Sequence, residues 1–282
     1  MLKLLHRGKV KDVYAVDNNT LLFHFSDRIS AFDIKMNQSI PKKGEILCKF
    51  SEFWFNTLPI ENHMIRVTGK DKMLVKRLKI YPIECVVRGF LYGSLIERYK
   101  EGSLVIKFPS SFQPIMAAKL PRPIFDPTTK SEEHDIPIEE ENIINNSFMT
   151  RKEFDYVKKT SISLYNRMNQ IADKVGFIIG DVKFEFGKDL ETEKILLADS
   201  LGPDEYRLWL KSEYRPGKLQ ESYDKQLLRD WLTQIGFKDI VNRWAKQGKK
   251  PPPPQIPREI IEKISARYSL AYQTFSGHTI DS

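Results

Sequence analysis

The chain has 282 residues, of which 41% are hydrophobic and 29% charged, as is typical of a folded globular protein rather than a disordered or fibrous one. No apolar run reaches about 18 residues and the short basic start does not fit a secretory signal, so we expect neither a membrane span nor a secreted protein. Two cysteines are too few for a disulfide framework and fit a cytoplasmic location. The formal net charge of +8 favours anionic partners, either phosphorylated small molecules or nucleic acid.

The first third of the chain predicts β-structure. Two apolar, β-prone runs, 10–16 and 21–25, are separated by the turn signal Asp17-Asn18-Asn19, so we expect a hairpin. The run 44–58 has Phe and Leu at helical spacing, and another strand is predicted over 83–87.

The segment 108–146 is rich in proline and contains the acidic stretch 132–141. Its length makes a plain connector an unsuitable interpretation. Two alternatives remain open, an ordered functional loop that closes over a site and a disordered insertion.

Helices are predicted in the later part of the chain. Apolar residues three and four apart over 154–175 place one stripe on one helix face. Thr150 and Glu153 form a capping box at its start, and Gly176 provides the stop. A second helix is predicted over 222–235.

The end of the chain predicts a stiff linker and one more helix. The Pro-rich linker 251–257 leads into a closing helix over 258–275, with Pro257 at its start. Strands first and helices later predict an α+β fold. We expect two domains, an N-terminal β-rich domain over residues 1–83 and a C-terminal domain over residues 84–282.

The first candidate site is the segment from Arg7 to Tyr14. Gly8 permits a tight turn, and Lys9 and Lys11 would share one face if they lie two apart in a strand. Two ammonium groups beside exposed amides can hold a polyphosphate. The segment lacks the second glycine and the Lys-Ser/Thr ending of a P-loop, and a lysine-edged strand is the simpler alternative.

The second candidate site is the strand 180–187. Asp181, Lys183 and Glu185 alternate with apolar residues and would share one face, where two carboxylates suit a divalent cation that bridges phosphates. A hairpin symmetric about residue 190 would place Asp199 opposite Asp181, so that three carboxylates converge. The alternative is an ordinary half-exposed strand of alternating charge.

The third candidate site is the run from Pro82 to Ser94. Glu84 and Arg88 share a strand face, and an arginine that leaves a strand beside Gly93 and Ser94 can bind a phosphate through two hydrogen bonds. A surface Glu–Arg pair is the alternative. Arg207, which stands near Trp209, is suited either to a ligand or to a cation–π contact.

Six segments of the chain carry one joint pattern: Gly8-Lys-Val-Lys-Asp-Val-Tyr14, Ser26-Asp-Arg-Ile-Ser-Ala-Phe-Asp33, Pro82-Ile-Glu-Cys-Val-Val-Arg88 with Gly93-Ser94, Thr129-Lys130 with His134-Asp135, Asp181-Val-Lys-Phe-Glu-Phe-Gly187, and Pro203-Asp204 with Arg207-Leu-Trp209. In this order they resemble the phosphoribosylaminoimidazole-succinocarboxamide synthase (SAICAR synthetase) family. The tail from Tyr223 to Trp231 looks like that of the longer, eukaryotic-type members. The resemblance covers essentially the whole chain.

The resemblance implies a carbon–nitrogen ligase of purine biosynthesis. The family joins 5-aminoimidazole-4-carboxylate ribonucleotide to L-aspartate and cleaves ATP to ADP and phosphate, with Mg²⁺. It also implies an N-terminal antiparallel β lobe similar to the nucleotide-binding lobes of kinases and ATP-grasp enzymes, and a C-terminal mixed α/β lobe with closing helices. No nucleic acid or membrane partner is implied, and the chain is a monomer or a homo-oligomer.

The resemblance assigns the residues around ATP and the metal. The positions that match the ATP site are Lys9, Lys11, Lys76 and Glu84. Glu185 and Asp199 match the Mg²⁺ ligands, with Asp181 as a third. Lys183 and Asp181 are expected at the reacting groups.

The resemblance also assigns the residues around the ribonucleotide. The positions that match its 5′-phosphate contacts are Arg88, Ser94 and Arg207. The polar positions that match the rest of the substrate pocket are Ser30, Asp33, Lys130, His134 and Asp135.

The chain departs from the family pattern near these positions. The residues that differ from the usual ones are Tyr92, Gly180, Ser200, Gly202 and Tyr206. These differences leave the expected metal ligands and Arg207 intact. They change residues that surround the metal ligands and the substrate contacts.

Two other functions remain as alternatives. Asp-x-Lys on a strand together with a lysine-bearing hairpin is also similar to inositol-polyphosphate-type kinases, which phosphorylate a hydroxyl group and need no aspartate. A nucleic-acid-binding protein is suggested by the positive charge alone and would need a clustered basic stripe with stacking aromatics.

Overall fold

A computed structural model describes residues 2–130 and 136–280. It confirms the predicted α+β class, with antiparallel strand pairs and separate helices. The strands are β1 (Lys3–Arg7), β2 (Lys11–Ala15), β3 (Thr20–Phe25), β4 (Arg28–Ala31), β5 (Ile34–Ser39), β6 (Met64–Gly69), β7 (Lys72–Lys76), β8 (Lys79–Ile80), β9 (Ile83–Leu91), β10 (Ala118–Phe125), β11 (Thr128–Thr129), β12 (Phe177–Lys188), β13 (Ile195–Ala198) and β14 (Tyr206–Leu210). The helices are α1 (Lys43–Thr57), α2 (Ser94–Lys100), α3 (Glu140–Asn145), α4 (Arg151–Lys174), α5 (Gln226–Gln234), α6 (Phe237–Ala245) and α7 (Arg258–Ser276).

The described chain divides into two compact units. The first unit contains residues 2–81, 185–205 and 223–280, and the second contains 82–130, 136–184 and 206–222. The predicted boundary at 83/84 lies close to residues 81 and 82, where the chain first passes from one unit to the other. The predicted single C-terminal domain over 84–282 differs from this division, because parts of that range belong to the first unit. The chain returns to the first unit because β12 is 12 residues long and its last four residues pair there with β8 and β13.

The first unit is built on a five-stranded antiparallel sheet in the order β1-β2-β3-β7-β6. The predicted hairpin is confirmed, since β2 and β3 pair with Ala15 opposite Leu21. Helix α1 buries Phe50 and Trp54, and the ring of Phe275 on α7 packs against both at 5.9 and 5.5 Å. Edge-on aromatic contacts of this kind stabilise the packing of α7 on α1.

A buried charged network also joins these two helices. Lys43, at the start of α1, is fully buried and its Nζ lies 2.9 Å from Oδ2 of Asp204. Tyr268 on α7 donates its hydroxyl to Oδ1 of the same carboxylate at 2.8 Å, and Lys225 Nζ is 3.8 Å from it. Burial acts to raise the pKa of Asp204, but the Lys43 and Lys225 charges outweigh it and hold that pKa well below its usual range. The carboxylate is therefore ionised at neutral pH.

The second unit is built around β9. This strand pairs with β10, with β11 and with residues 181–184 of β12, while β14 pairs with the earlier part of β12. Helix α4 packs on β9 and β10. Its capping box is present as predicted, and Gly176 follows the helix with φ of 81°.

The described part of the proline-rich segment 108–146 contains regular secondary structure, which contradicts the alternative of a disordered insertion. It contains β10, β11 and α3. Pro121 and Pro123 lie in β10, at the edge of its sheet, where the register jumps between Lys119 and Ile124. Proline is tolerated there because an edge strand with an irregular register does not need every N–H. Residues 131–135 lie outside the described chain.

Smaller differences from the sequence predictions concern element ends. The strand predicted over 83–87 continues to Leu91, and the helix predicted over 222–235 spans only Gln226–Gln234. Gly236, with φ of 74°, separates it from α6, which the sequence reading did not predict. The closing helix is confirmed with its end at Ser276. No helix in the described part of the chain is long and apolar enough to cross a membrane.

Candidate active site

The turn between β1 and β2 carries the two predicted phosphate-binding lysines. Gly8 N donates to Lys11 O at 2.9 Å, and a Cβ on Gly8 would lie 2.8 Å from that oxygen, so the tight turn requires glycine. Lys9 lies in the turn, and Lys11 is the first residue of β2. The prediction that both lysines share one strand face is therefore wrong, because the strand begins only after Lys9.

Each of these lysines is held by a carboxylate of the first unit. Lys9 forms an ion pair with Asp33. Lys11 Nζ lies 2.5 Å from Oδ1 of Asp199 and 3.1 Å from Oγ of Ser200, and 5.1 Å from the centroid of the Phe23 ring. We call Lys9, Lys11, Asp33 and Asp199 the lysine cluster. It places two ammonium groups close to oxygen ligands of the kind that a polyphosphate would replace.

Both aspartates of the lysine cluster have left-handed backbone conformations. Phe32 and Asp33, with φ of 51° and 59°, form the two-residue turn between β4 and β5, and Asp199 follows β13 with φ of 65°. Such conformations are uncommon for residues other than glycine and concentrate at functional sites. Asp33 and Asp199 share positive φ with Phe32, Lys42, Ala117, Ser147 and Glu193, so this backbone conformation is consistent with a site but does not by itself identify one.

His63 holds the backbone of Asp199, and sequence reasoning missed it. Its Nε2 lies 3.0 Å from the carbonyl oxygen of Asp199. Burial lowers the pKa of His63 to about 4, so the ring is neutral at pH 7 and donates this hydrogen bond from Nε2. No local motif around His63 could have signalled the contact, because it depends on the distant segment at residue 199.

The strand register places Asp199 nearer to Glu185 than to Asp181. Glu185 pairs with Ala198, the last residue of β13, and Asp199 follows directly after that strand, whereas symmetry about residue 190 would have required Asp181 opposite Asp199. The loop is centred later because it extends from Asp189 to Lys194. Across residues 2–130 and 136–280, no three His, Cys, Asp or Glu side chains converge to hold a metal. The predicted convergence of three carboxylates is therefore wrong.

Two carboxylates nevertheless fit the metal that the resemblance implies. Glu185 is 5% exposed and lies beside the residue that precedes Asp199. Mg²⁺ in nucleotide sites is commonly bound by one or two carboxylates, with phosphates and water supplying the other ligands. The donor set of Glu185 and Asp199 is of this kind.

The remaining predicted ATP-site residues lie in separate units. In the first unit, Lys76 at the end of β7 pairs with Asp189 at 3.1 Å. In the second unit, buried Glu84 accepts a hydrogen bond from Lys183 Nζ at 2.6 Å and one from Thr128 Oγ1 at 3.3 Å. Glu84 therefore orients Lys183, and since Glu84 and Arg88 are both buried, the surface pair that the sequence left open is wrong.

The second unit contains a chain of five alternating charges, Arg98–Asp126–Arg88–Asp181–Arg207, which we call the arginine chain. Asp126 Oδ2 lies 2.5 Å from both Arg88 Nε and Arg98 Nη2. Asp181 pairs with Arg207, and its Oδ2 is 3.6 Å from Arg88 Nη1. All five side chains are less than a fifth exposed. Asp181 thus stands between two guanidinium groups, opposite Arg88 on the neighbouring strand.

Ser94 and Gly93 lie beside the arginine chain. Arg88 Nη2 donates to Ser94 Oγ at 3.0 Å. A Cβ on Gly93, which has φ of 58°, would lie 2.6 Å from Arg207 Nη2, so glycine lets the guanidinium approach the backbone. Arg207 also lies over the Tyr92 ring at 5.6 Å from its centroid. The predicted alternatives of ligand and cation–π partner are therefore compatible, and the departure at Tyr92 provides the aromatic face.

The other departures from the family pattern have local packing reasons. Ser200 donates to Glu205 at 3.3 Å while it contacts Lys11. A Cβ on Gly202 would lie 2.9 Å from Leu47, and one on Gly180 would lie 2.8 Å from the Trp209 ring. Tyr206 is buried and pairs with Val182.

The structure describes some of the remaining residues that were predicted to line the substrate pocket. Ser30 is buried in β4, and Lys130 donates its backbone N–H to Pro82 O at 3.1 Å. His134 and Asp135 lie outside the described residues. Sequence reasoning missed Arg98 and Asp126, which lie 28 residues apart in the chain and carry no motif spacing that predicts their contact.

Comparisons with known proteins identify the same family that the six sequence segments resemble. A sequence profile described as SAICAR synthetase matches residues 4–244. Two similar sequences are named phosphoribosylaminoimidazole-succinocarboxamide synthase. The protein from Nitrosopumilus maritimus (strain SCM1) is 51% identical over 99% of this chain and 100% of its own length, and the protein from Candida maltosa is 39% identical over 97% and 94%.

Solved structures give the same result. The structure titled as the SAICAR synthase of Saccharomyces cerevisiae complexed with SAICAR has a TM-score of 0.85 and 33% identity, covering 100% of this chain and 97% of its own. A structure titled SAICAR synthetase (Type-2) in complex with ADP has a TM-score of 0.74 and 25% identity, covering 98% and 99%.

Proposed function

Because this chain belongs to the SAICAR synthetase family, we propose a division of its ligase reaction between the lysine cluster and the arginine chain. The chain is an ATP-dependent ligase of purine biosynthesis that joins 5-aminoimidazole-4-carboxylate ribonucleotide to L-aspartate. The products are the succinocarboxamide ribonucleotide, ADP and phosphate. The two groups of residues would serve different substrates of this reaction, ATP and the ribonucleotide.

The chemistry needs charge stabilisation more than a protein nucleophile. A carboxylate is a poor acylating agent, because its leaving group would be oxide. Transfer of the γ-phosphoryl group of ATP to a carboxylate oxygen forms an acyl phosphate and releases ADP. The aspartate amine then attacks the acyl carbon, the C–O bond to phosphate breaks, and the nitrogen loses a proton to give the amide. Catalysis of phosphoryl transfer rests mainly on positioning and charge neutralisation.

The lysine cluster is proposed to hold the phosphates of ATP. Lys9 and Lys11 would exchange their carboxylate partners for phosphate oxygens, which bind an ammonium group at least as well. Asp199, once released from Lys11, would hold Mg²⁺ together with Glu185. The metal supplies additional neutralisation of the phosphate charge when it is bound. Lys76 remains a predicted contact of the nucleotide.

The second unit is proposed to bind the ribonucleotide. Arg88, Ser94 and Arg207 present guanidinium and hydroxyl donors for the 5′-phosphate, and Asp181 orients Arg88 and Arg207 rather than binding metal. Lys183, oriented by Glu84, is proposed to face the reacting carboxylate. Lys130, His134 and Asp135 remain predicted contacts of the rest of the substrate, and so do Ser30 and Asp33, which belong to the first unit.

The observation that supports this assignment best is the arginine chain, in which the guanidinium groups of Arg88, Arg98 and Arg207 converge on the carboxylates of Asp126 and Asp181 in a largely buried site. Arg88 and Arg207 of this chain, together with Ser94 beside it, are the three residues that the resemblance assigned to the 5′-phosphate.

The test is release of ADP by the purified chain with MgATP, adding the carboxylate ribonucleotide and L-aspartate separately and together. We expect full turnover only with both, and equimolar succinocarboxamide product. Stoichiometric phosphorylation of a hydroxyl acceptor without aspartate would instead establish a kinase. Absence of turnover from folded protein that binds MgATP would contradict the ligase assignment.

A further inference from the structure

Arg98 and Asp126 belong to the arginine chain but have no role in the ribonucleotide site described so far. Ser94 and Arg98 lie four residues apart on α2, so their side chains share one face of the helix. Arg88 reaches that face, since its Nη2 donates to Ser94 Oγ at 3.0 Å. The two guanidinium groups and the hydroxyl therefore converge on one place.

Asp126 is the group that holds the two guanidiniums together. Its Oδ2 receives hydrogen bonds from Arg88 Nε and Arg98 Nη2, both at 2.5 Å. Its backbone N–H donates to Val86 O at 2.8 Å, which anchors the carboxylate beside the strand that carries Arg88. Without this carboxylate, two like charges would face each other in a largely buried site and would move apart.

The charge state of Asp126 agrees with this arrangement. Burial acts to raise the pKa of its carboxyl, but the charges of Arg88 and Arg98 outweigh burial and hold the pKa below its ordinary value. The group is ionised at neutral pH. It occupies one edge of Arg88 through Nε and leaves the two terminal nitrogens directed to Ser94 and Asp181.

We propose that Arg98 is a further contact of the substrate 5′-phosphate and that Asp126 is the positioning residue that holds Arg88 and Arg98 side by side for it. The inference rests on the proposed function of the second unit. It adds a third arginine to the phosphate subsite and assigns a carboxylate that does not itself contact the substrate. Because the phosphate does not react, the pair acts on substrate affinity and not on the chemical step.

The experiment compares Asp126→Asn and Arg98→Met with the wild-type chain. Steady-state kcat and KM are measured for the carboxylate ribonucleotide, for MgATP and for L-aspartate. We expect either substitution to raise KM for the ribonucleotide about 10- to 100-fold, the range that loss of one charged hydrogen-bonding partner produces. We expect kcat and the other two KM values to change less than about threefold.

Ribose 5-phosphate is the probe for the phosphate itself, and ribose is its control. As a competitive inhibitor against the ribonucleotide, ribose 5-phosphate should lose affinity in both variants by a factor similar to that in KM. Inhibition by ribose should be the same in the variants and the wild type. The matched control is Asp173→Asn, which removes an exposed aspartate paired with Lys211 in the same unit and should leave all these constants unchanged.

The outcomes separate the two proposals. A wild-type chain that does not turn over would overturn the proposed function. A wild-type chain that turns over, with an unchanged ribonucleotide KM in both variants, would overturn this inference. A drop in kcat at constant KM would do so as well. If Asp126→Asn does not fold, Arg98→Met decides the matter, because its side chain is nearer the surface and its removal leaves the Arg88–Asp126 pair in place.

Discussion

The lysine cluster and the arginine chain both pair cations with carboxylates, yet they are built differently. In the lysine cluster, the Lys9 side chain is 41% exposed, and both aspartates lie on left-handed turn residues. In the arginine chain, Arg88 is 8% exposed, and its pairing with Asp181 follows the register of adjacent strands. Single ammonium groups exchange partners readily, whereas planar guanidiniums form fixed, forked contacts. This difference agrees with the proposal that the lysine cluster binds the phosphate that is transferred and that the arginine chain binds the phosphate that stays in place.

A third charged cluster, around Asp204, has no proposed ligand and serves as a reference. We expect substitution of Asp204 to have the largest effect of the changes described here. Asp204→Asn leaves Lys43 fully buried without its counter-charge, and removal of one partner of a buried pair costs about 3–5 kcal/mol. We expect the free energy of unfolding, measured by denaturant titration, to fall by about this amount. A denaturant midpoint equal to that of the wild type would contradict this prediction, since it would show that the buried ion pair does not stabilise the fold.

The same substitution has a pH dependence that follows from the lowered pKa of Asp204. The ion pair contributes its full stability above the ordinary pKa of 3.8, and this contribution is lost as the pH falls through the lower folded-state pKa. The difference between wild type and Asp204→Asn should therefore stay constant from pH 7 to about 5 and shrink below about pH 4. A difference that already shrinks near pH 6 would contradict the sign of this shift.

Arg88→Lys tests the fixed geometry of the arginine chain. Lysine retains the charge but cannot donate to both Asp126 and Ser94 while it also pairs with Asp181. We expect KM for the ribonucleotide to rise about 100-fold, with little change in KM for MgATP. Steady-state kinetics with each substrate varied in turn provides the measurement. Equal increases in both KM values would show that the site is not specific to the ribonucleotide.

Lys9→Met should have the smallest effect on the folded protein itself. Its pair with Asp33 is partly exposed, at 41% and 27% of the two side chains, and solvent-screened pairs contribute about 0–1 kcal/mol. We expect the unfolding free energy without ligand to change by less than about 1 kcal/mol, while the rise in melting temperature on adding MgATP becomes smaller. The matched control is Lys194→Met, which breaks the exposed pair with Glu61 and should keep the full MgATP response. An unaltered MgATP response in Lys9→Met would remove Lys9 from the proposed nucleotide site.

Local signals in the sequence were reliable where the interaction itself is local. The capping box of Thr150 and Glu153 predicted the start of α4, and the Asp17-Asn18-Asn19 turn predicted the first hairpin. The assumption of a symmetric hairpin at residue 190 failed because loop length, and not strand alternation, decides which residues stand opposite each other. Lys9 was assigned to a strand for a related reason, because residue alternation does not show where the turn ends and the strand begins.

The amino-acid sequence by itself determined the α+β class, the family and the residue types that the reaction needs, because these depend on short-range periodicity and on motifs in a fixed order. Only the tertiary structure decided the partners of those residues. It joined Arg98 to Asp126, His63 to Asp199 and Lys43 to Asp204, across separations of 28, 136 and 161 positions. Contacts over such distances depend on strand register and packing between elements, which no local pattern encodes.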